Sequence, residues 1–206
     1  YATRNSAKAI PVHVRPKYLP IVVLPGIMGT RLTDPRTDKL VWNPLGEPLG
    51  DGPGVFSVDP DRLQQITAPL VPDETHRYDL ASKDKEVRHI KHFYNLIPKF
   101  YGDLAKHLAA MQLDELDARH LTPKVYCCGY DWRQDNARSA ARLAGVVEEA
   151  LRETGARKVI LVAHSMGGLV ARYYCRVLGG EATVHQLVLL ASPTLGSPAA
   201  YAQLRQ

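Results

Sequence analysis

Lys158-Val-Ile-Leu-Val-Ala-His-Ser-Met-Gly-Gly-Leu-Val-Ala-Arg-Tyr-Tyr174 is a sequence in two halves with a sharp join. The first half is a continuously apolar, β-branched run, which is how a strand buried on both faces reads. In the second half and just past it, Leu169, Val170, Tyr173, Tyr174, Val177 and Leu178 recur at helical spacing, and Gly179-Gly180 closes the stripe. The join, Ala163-His-Ser-Met-Gly-Gly168, has the form of a nucleophile elbow. Such a turn needs small residues two before and two after the serine, because the chain reverses so sharply that larger ones would collide. Ala163 and Gly167 meet that requirement. The turn lifts the Ser165 hydroxyl above the carboxyl end of the sheet and aims the Met166 N–H and the helix N-terminus at whatever binds there. Ser165 is therefore the candidate nucleophile and Met166 a candidate oxyanion donor. His164 points another way on so tight a turn; it is expected to be packed or hydrogen-bonded, not to serve as the base.

The same alternation extends outward in both directions. Upstream, Tyr18-Leu-Pro-Ile-Val-Val-Leu24 reads as a buried strand ended by Pro25-Gly26. The glycines of Pro25-Gly-Ile-Met-Gly-Thr30 let backbone amides approach an oxyanion at the same edge, with the Ile27 N–H as the second donor. Phe100, Leu104, Leu108 and Met111 define an amphipathic helix, and Lys124 to Gly129 a strand. A second helix carries Leu143, Val146, Val147, Ala150 and Leu151, with Asn136 as its cap and Gly155 as its stop. Gln186 to Ala191 is the last strand. This order predicts an α/β fold: right-handed crossovers, a mostly parallel sheet, and helices on both faces. Gly129-Tyr-Asp-Trp-Arg133 leaves its strand at the edge where such sheets bind ligands. Either Trp132 and Tyr130 wall an apolar pocket, together with Met28, while Asp131 and Arg133 pin the loop, or this is a helix-entry turn with a packed tryptophan.

Between about residues 33 and 95 the pattern dissolves into Asn43-Pro-Leu-Gly46 and Asp51-Gly-Pro-Gly54, yet it still carries Trp42, Val55 and Phe56. An excursion of that length is a lid or surface flap, or else an irregular inert insertion. His89-x-x-His92 has metal-like spacing without a completing Glu or Cys; a surface helix is the expectation, and neither metal nor cofactor is implied.

The 206 residues are 45% apolar and 23% charged, the balance of a globular domain. Lys and Arg exceed Asp and Glu by 26 to 21, a net +5. Arg4, Lys8, Arg15 and Lys17 crowd the first twenty positions, so the excess reads as a basic amino-terminal arm over residues 1–17: a solvated leader, or a contact to anionic lipid. No sustained basic face points to nucleic acid, and no run approaches the roughly 20 apolar residues of a membrane span. Tyr1, without Met or an apolar signal core, is read as the start of a processed or excised piece. Cys127, Cys128 and Cys175 lie in a strand and a helix and cannot build a disulfide framework, which leans toward a reducing, cytoplasmic setting.

Leu24-Pro-Gly-Ile-Met-Gly-Thr-Arg-Leu32, Tyr130-Asp-Trp-Arg133, the elbow and Ser192-Pro-Thr-Leu-Gly-Ser-Pro198 occur in this order. Together they resemble the lecithin:cholesterol acyltransferase family, which includes lysosomal phospholipase A2 and the phospholipid:diacylglycerol acyltransferases. The likeness spans about residues 18 to 200. It implies an α/β-hydrolase fold acting on ester-linked acyl chains through an acyl-enzyme, with Ser165 as nucleophile and Ile27 and Met166 as oxyanion donors. The family often has Asp where Ile27 stands; only the backbone amide is needed. The disulfide that ties down the excursion in some members has no counterpart, since residues 33–95 contain no Cys.

Triad partners in this fold follow the nucleophile as acid, then His. After Ser165 only Glu181 and His185 are available, both expected at the opposite edge of the sheet, and Asp131 follows the wrong strand. Residues 18–206 thus read as an incomplete α/β-hydrolase domain, with acid and base expected beyond residue 206 or on a second chain. The functional reading is a serine esterase, lipase or lipid acyltransferase with a lipid or other acyl-ester substrate and peripheral lipid-surface contact. The alternative is a non-catalytic relative that kept the scaffold for binding.

Overall fold

In the computed structural model, which describes residues 19–42, 69–73, 90–111 and 123–203, Ile21–Leu24 forms β1 at the centre of a five-stranded sheet. Its neighbours are β6 (Val125–Cys127) on one side and β7 (Val159–His164) on the other. Outside these lie β5 (Ile90–Lys91) and β8 (Val184–Leu190), and every pairing is parallel. All four residues of β1 are buried because the sheet is covered on both faces. Val22 and Leu24 pack with Leu143 and Val147 of α2 (Asn136–Thr154) and Val170 and Tyr174 of α3 (Met166–Val177). Ile21 and Val23 face the other way, toward Tyr101 and Ala105 of the segment that includes α1 (Asp103–Ala110). The alternation of one short strand thus divides the core in two. A final helix, α4, spans Pro198–Gln203. The expected α/β architecture, a parallel sheet between helices, is the one observed.

Three details depart from the sequence reading. The helix expected to begin near Phe100 opens instead with a π-helical turn, Pro98–Gly102. The extra residue in that turn takes Phe100 off the stripe, so Phe100 is 63% exposed while Tyr101 and Ala105 face the sheet; Met111, past the end of α1, is 48% exposed. The cap of α2 is Asp135, whose carboxylate accepts from the Ala137 N–H at 2.7 Å; Asn136 is already helical, and Gly155 stops the helix in the left-handed conformation as expected. The last strand starts two residues earlier than expected, at Val184, and His185 occupies an irregularity where the register shifts between Val159 and Ile160. Glu181 lies just before it in a 3-10 turn, Gly180–Thr183, so both residues stand at the amino-terminal edge of the sheet.

The excursion is not wholly irregular. β2 (Leu32–Asp34) pairs antiparallel with β3 (Lys39–Trp42) and with β4 (Val71–Pro72), making a small second sheet. Arg31, which leads into it, forms a buried ion pair with Asp73 at 2.6 Å. Val55 and Phe56, the basic arm and His89 lie outside the described residues. Among the described residues no helix is long and apolar enough to cross a membrane. The three cysteines are buried free thiols; desolvation pushes Cys128 up to about 12 although the Arg142 charge pulls the other way.

Candidate active site

β7 ends at His164 and α3 starts at Met166, leaving one residue to make the turn. Ser165 makes it at φ 51°, ψ −124°, a conformation that costs a non-glycine residue about 1–3 kcal/mol and survives only where neighbours enforce it. Its N–H donates to the Leu190 carbonyl at the end of β8 at 2.8 Å, and its carbonyl accepts from the Gly168 N–H at 3.0 Å. A Cβ at Gly167 would collide with the Pro25 carbonyl oxygen and lie 3.1 Å from the Leu24 Cβ. One at Gly168 would stand 2.6 Å from the Ser192 Cβ. Ala163, buried in β7, completes the set of small residues. The backbone shape is the one expected of the 163–168 motif.

The Pro25–Thr30 loop lies directly against this turn. A Cβ at Gly26 would be 2.9 Å from the Ser165 Cβ and 3.4 Å from its Oγ. Beyond Gly26 the chain turns, the Gly29 N–H donating to the Gly26 carbonyl at 3.1 Å, with Met28 at φ 63°, as the third position of a type II turn demands. Met28 is not a glycine, so this conformation needs support. The Trp42 indole N–H supplies it by donating to the Met28 carbonyl at 3.1 Å. The Gly26 N–H is already engaged, donating to the Tyr101 hydroxyl at 2.8 Å. The amides of Ile27 and Met166, at the two facing turns, have no hydrogen-bond partner among the described residues. The Ile27 side chain is 52% exposed.

His164 is held as expected, its Nδ1 2.9 Å from the Tyr101 hydroxyl. Asp131 is also committed. One oxygen accepts from Arg133 Nε at 2.8 Å; the other accepts from Arg133 Nη2 at 2.8 Å and from the Leu70 N–H at 3.0 Å. That bidentate pair pins the loop after β6 and leaves the carboxylate serving structure. His92 lies not in a surface helix but between β5 and a 3-10 turn, Phe93–Asn95, and bonds Glu149 of α2 at 2.9 Å; among the described residues no group of three or more His, Cys, Asp or Glu is arranged to hold a metal ion.

A family model for lecithin:cholesterol acyltransferase matches residues 98–206. The chain belongs to that family. This lecithin:cholesterol acyltransferase family member is also similar to an uncharacterized protein of Saccharomyces cerevisiae, YJR098C, with 29% identity over 152 residues. The alignment covers 73% of this chain and 20% of the yeast protein. Among solved structures it is similar to a chain of the Tle4–Tli4 complex, with a TM-score of 0.62 and 24% identity, over 91% of this chain and 48% of that one. The chain thus spans a fifth of the yeast relative and about half of the structural one. At that identity the structural likeness speaks for the fold, which is of the α/β-hydrolase type.

Within this family member the aromatic residues expected to wall a pocket turn inward. Tyr130 is wholly enclosed, its hydroxyl donating to the Pro25 carbonyl at 2.8 Å and its N–H to Thr30 Oγ1 at 3.1 Å. It is a strut behind the loop, not an open wall. Trp132 is buried too and meets Trp42 edge to face at 5.3 Å. Met28 is half-buried and is the most exposed of the three. Tyr101 was hidden from sequence reasoning, because no periodicity announces a π turn and the stripe pointed to its neighbour Phe100.

Proposed function

We propose that Ser165 is the nucleophile of a serine hydrolase or acyltransferase acting on ester-linked acyl chains. What carries the reading is the Ser165 backbone at φ 51° and ψ −124° at the carboxyl edge, with the loop at Gly26 packed against its side chain. In this reading Ser165 Oγ attacks the ester carbonyl carbon as a base takes the hydroxyl proton. The carbonyl oxygen becomes an oxyanion between the amides of Ile27 and Met166; each such donor is worth about 10²–10³ in rate. Collapse breaks the acyl–oxygen bond, the leaving alcohol takes the proton from the base, and an acyl-enzyme remains. Water or a second alcohol then attacks that ester, giving hydrolysis or acyl transfer.

The base comes from outside the described residues. His92 is bonded to Glu149, His107 to the Asp103 carbonyl, His164 to Tyr101, and His185 stands at the amino-terminal end of β8. An apolar substrate suits the edge itself: Ile27, Phe100 and Leu195 present apolar side chains to solvent on the segments around it. The test is labelling with a fluorophosphonate probe of protein that includes the segments supplying the base. A single modification at Ser165, lost in Ser165→Ala, is expected. Labelling that persists in that variant sinks the assignment.

A further inference from the structure

The Pro25 carbonyl and the Gly26 N–H belong to one peptide group, and each is held by a tyrosine hydroxyl from a different part of the chain. Tyr130, just after β6, donates to the carbonyl at 2.8 Å; Tyr101, in the π turn, accepts from the N–H at 2.8 Å. In a trans peptide these groups point in opposite directions, so the two hydroxyls grip the plane from both sides. We propose that Tyr101 and Tyr130 are positioning residues that fix this peptide plane and so aim the next amide, that of Ile27, at the oxyanion. This rests on the reading of Ser165 as nucleophile.

Tyr101 does more than hold one end. A hydroxyl has a single proton and two lone pairs. One lone pair accepts from Gly26, and the same hydroxyl bonds His164 Nδ1 at 2.9 Å. The chain of bonds therefore runs from the Gly26 N–H through the Tyr101 hydroxyl to His164. Gly26 precedes the oxyanion donor by one residue and His164 precedes Ser165 by one. A single oxygen thereby ties the two reacting turns together at their adjacent residues. It also occupies the Gly26 amide, which would otherwise compete with Ile27 for an anion. Burial raises the pKa of both tyrosines, so the hydroxyls stay protonated and available as hydrogen-bond groups. The missing side chain of Gly26 follows from the same packing, since a Cβ there would press on Ser165 and lie 3.0 Å from His164 Nδ1.

The experiment compares wild type with Tyr101→Phe and Tyr130→Phe, using the kinetics of Ser165 phosphonylation by a fluorophosphonate over a range of probe concentrations. Each variant is expected to lower the limiting phosphonylation rate about tenfold, a fraction of the full loss of one donor, while half-saturation by the probe stays unchanged. A purely structural role would lower the melting temperature without that split. A limiting rate within twofold of wild type in both variants overturns the proposal, as does a change confined to half-saturation. Tyr130→Phe keeps the test alive if Tyr101→Phe does not fold. Amide hydrogen exchange at Gly26 reads the clamp independently of chemistry: exchange at least tenfold faster in Tyr101→Phe is expected, and unchanged exchange refutes the clamp. Wild type that is not labelled at Ser165 would instead condemn the nucleophile assignment.

Discussion

Between His164 and Gly168 the chain takes its shape from what lies beside it in sequence and from the strand next door. Ser165 bonds the end of β8, and Gly167 lets the helix start against Leu24 and Pro25 where any Cβ would strike backbone. Between Pro25 and Thr30 the turn is hung on side chains that arrive from far along the chain. Tyr101, Tyr130 and Trp42 are 75, 105 and 14 residues from the groups they bond. Asp73 bonds Arg31 at the loop's exit both by its N–H, at 2.9 Å to the Arg31 carbonyl, and by its carboxylate. A turn made by steric exclusion can be written in six residues. A turn made by distant hydrogen bonds needs the whole domain assembled before it exists.

That difference sets the expected size of perturbations. Gly167→Val should be the most damaging change, since the new side chain meets the carbonyls of Pro25 and Leu24, which cannot move without breaking β1. Overpacking costs about 1–3 kcal/mol where neighbours can shift and more where they are backbone. Loss of soluble protein is expected for Gly167→Val, against near-normal yield for His164→Gln. Equal yields would show that steric exclusion at Gly167 does not set the shape of the 164–168 turn.

Asp73→Asn comes next. It leaves the Arg31 guanidinium buried without its carboxylate, a change worth about 3–5 kcal/mol. At this chain length that is a fall of about 10 °C in melting temperature. A loss below about 3 °C would show that the loop's exit does not depend on the pair. The smallest effect belongs to Trp42→Phe. It removes the bond to the Met28 carbonyl, at about 0.5–1.5 kcal/mol, and weakens the contact with Trp132. Melting should fall by a few degrees at most. Acylation of Ser165 should slow even so, because Met28 follows the proposed oxyanion donor. If melting falls as far as in Asp73→Asn, the loop is held more by packing than by its polar bonds.

The elements that sequence reasoning placed well are those with a strong local pattern: β1, β6, β7, α2, α3 and the elbow between β7 and α3. It missed β5, a two-residue strand that pairs only because β6 is there to receive it. It also missed β2, β3 and β4, whose small sheet is held by pairings between Leu32, Trp42 and Pro72 across the excursion. Phe100 and Tyr101 exchanged roles because one extra residue in a π turn changes which side chain faces the sheet, and composition carries no trace of it. Asp135 displaced Asn136 as the cap by one position, an error within the ordinary fraying of helix ends.

What the sequence determined by itself is the α/β order, the burial of β1 and β7, and the steric requirement around Ser165. Each rests on residue size, branching and spacing within a short window, and these act wherever the segment goes. What only the tertiary structure decided is the company Ser165 keeps. It turned Tyr130 from a pocket wall into a strut, brought the Leu70 N–H onto the Asp131 carboxylate, and set Tyr101 between Gly26 and His164. Those outcomes depend on hydrogen-bond distances between segments up to about a hundred residues apart, fixed only when the parallel strands align their carboxyl ends at one edge.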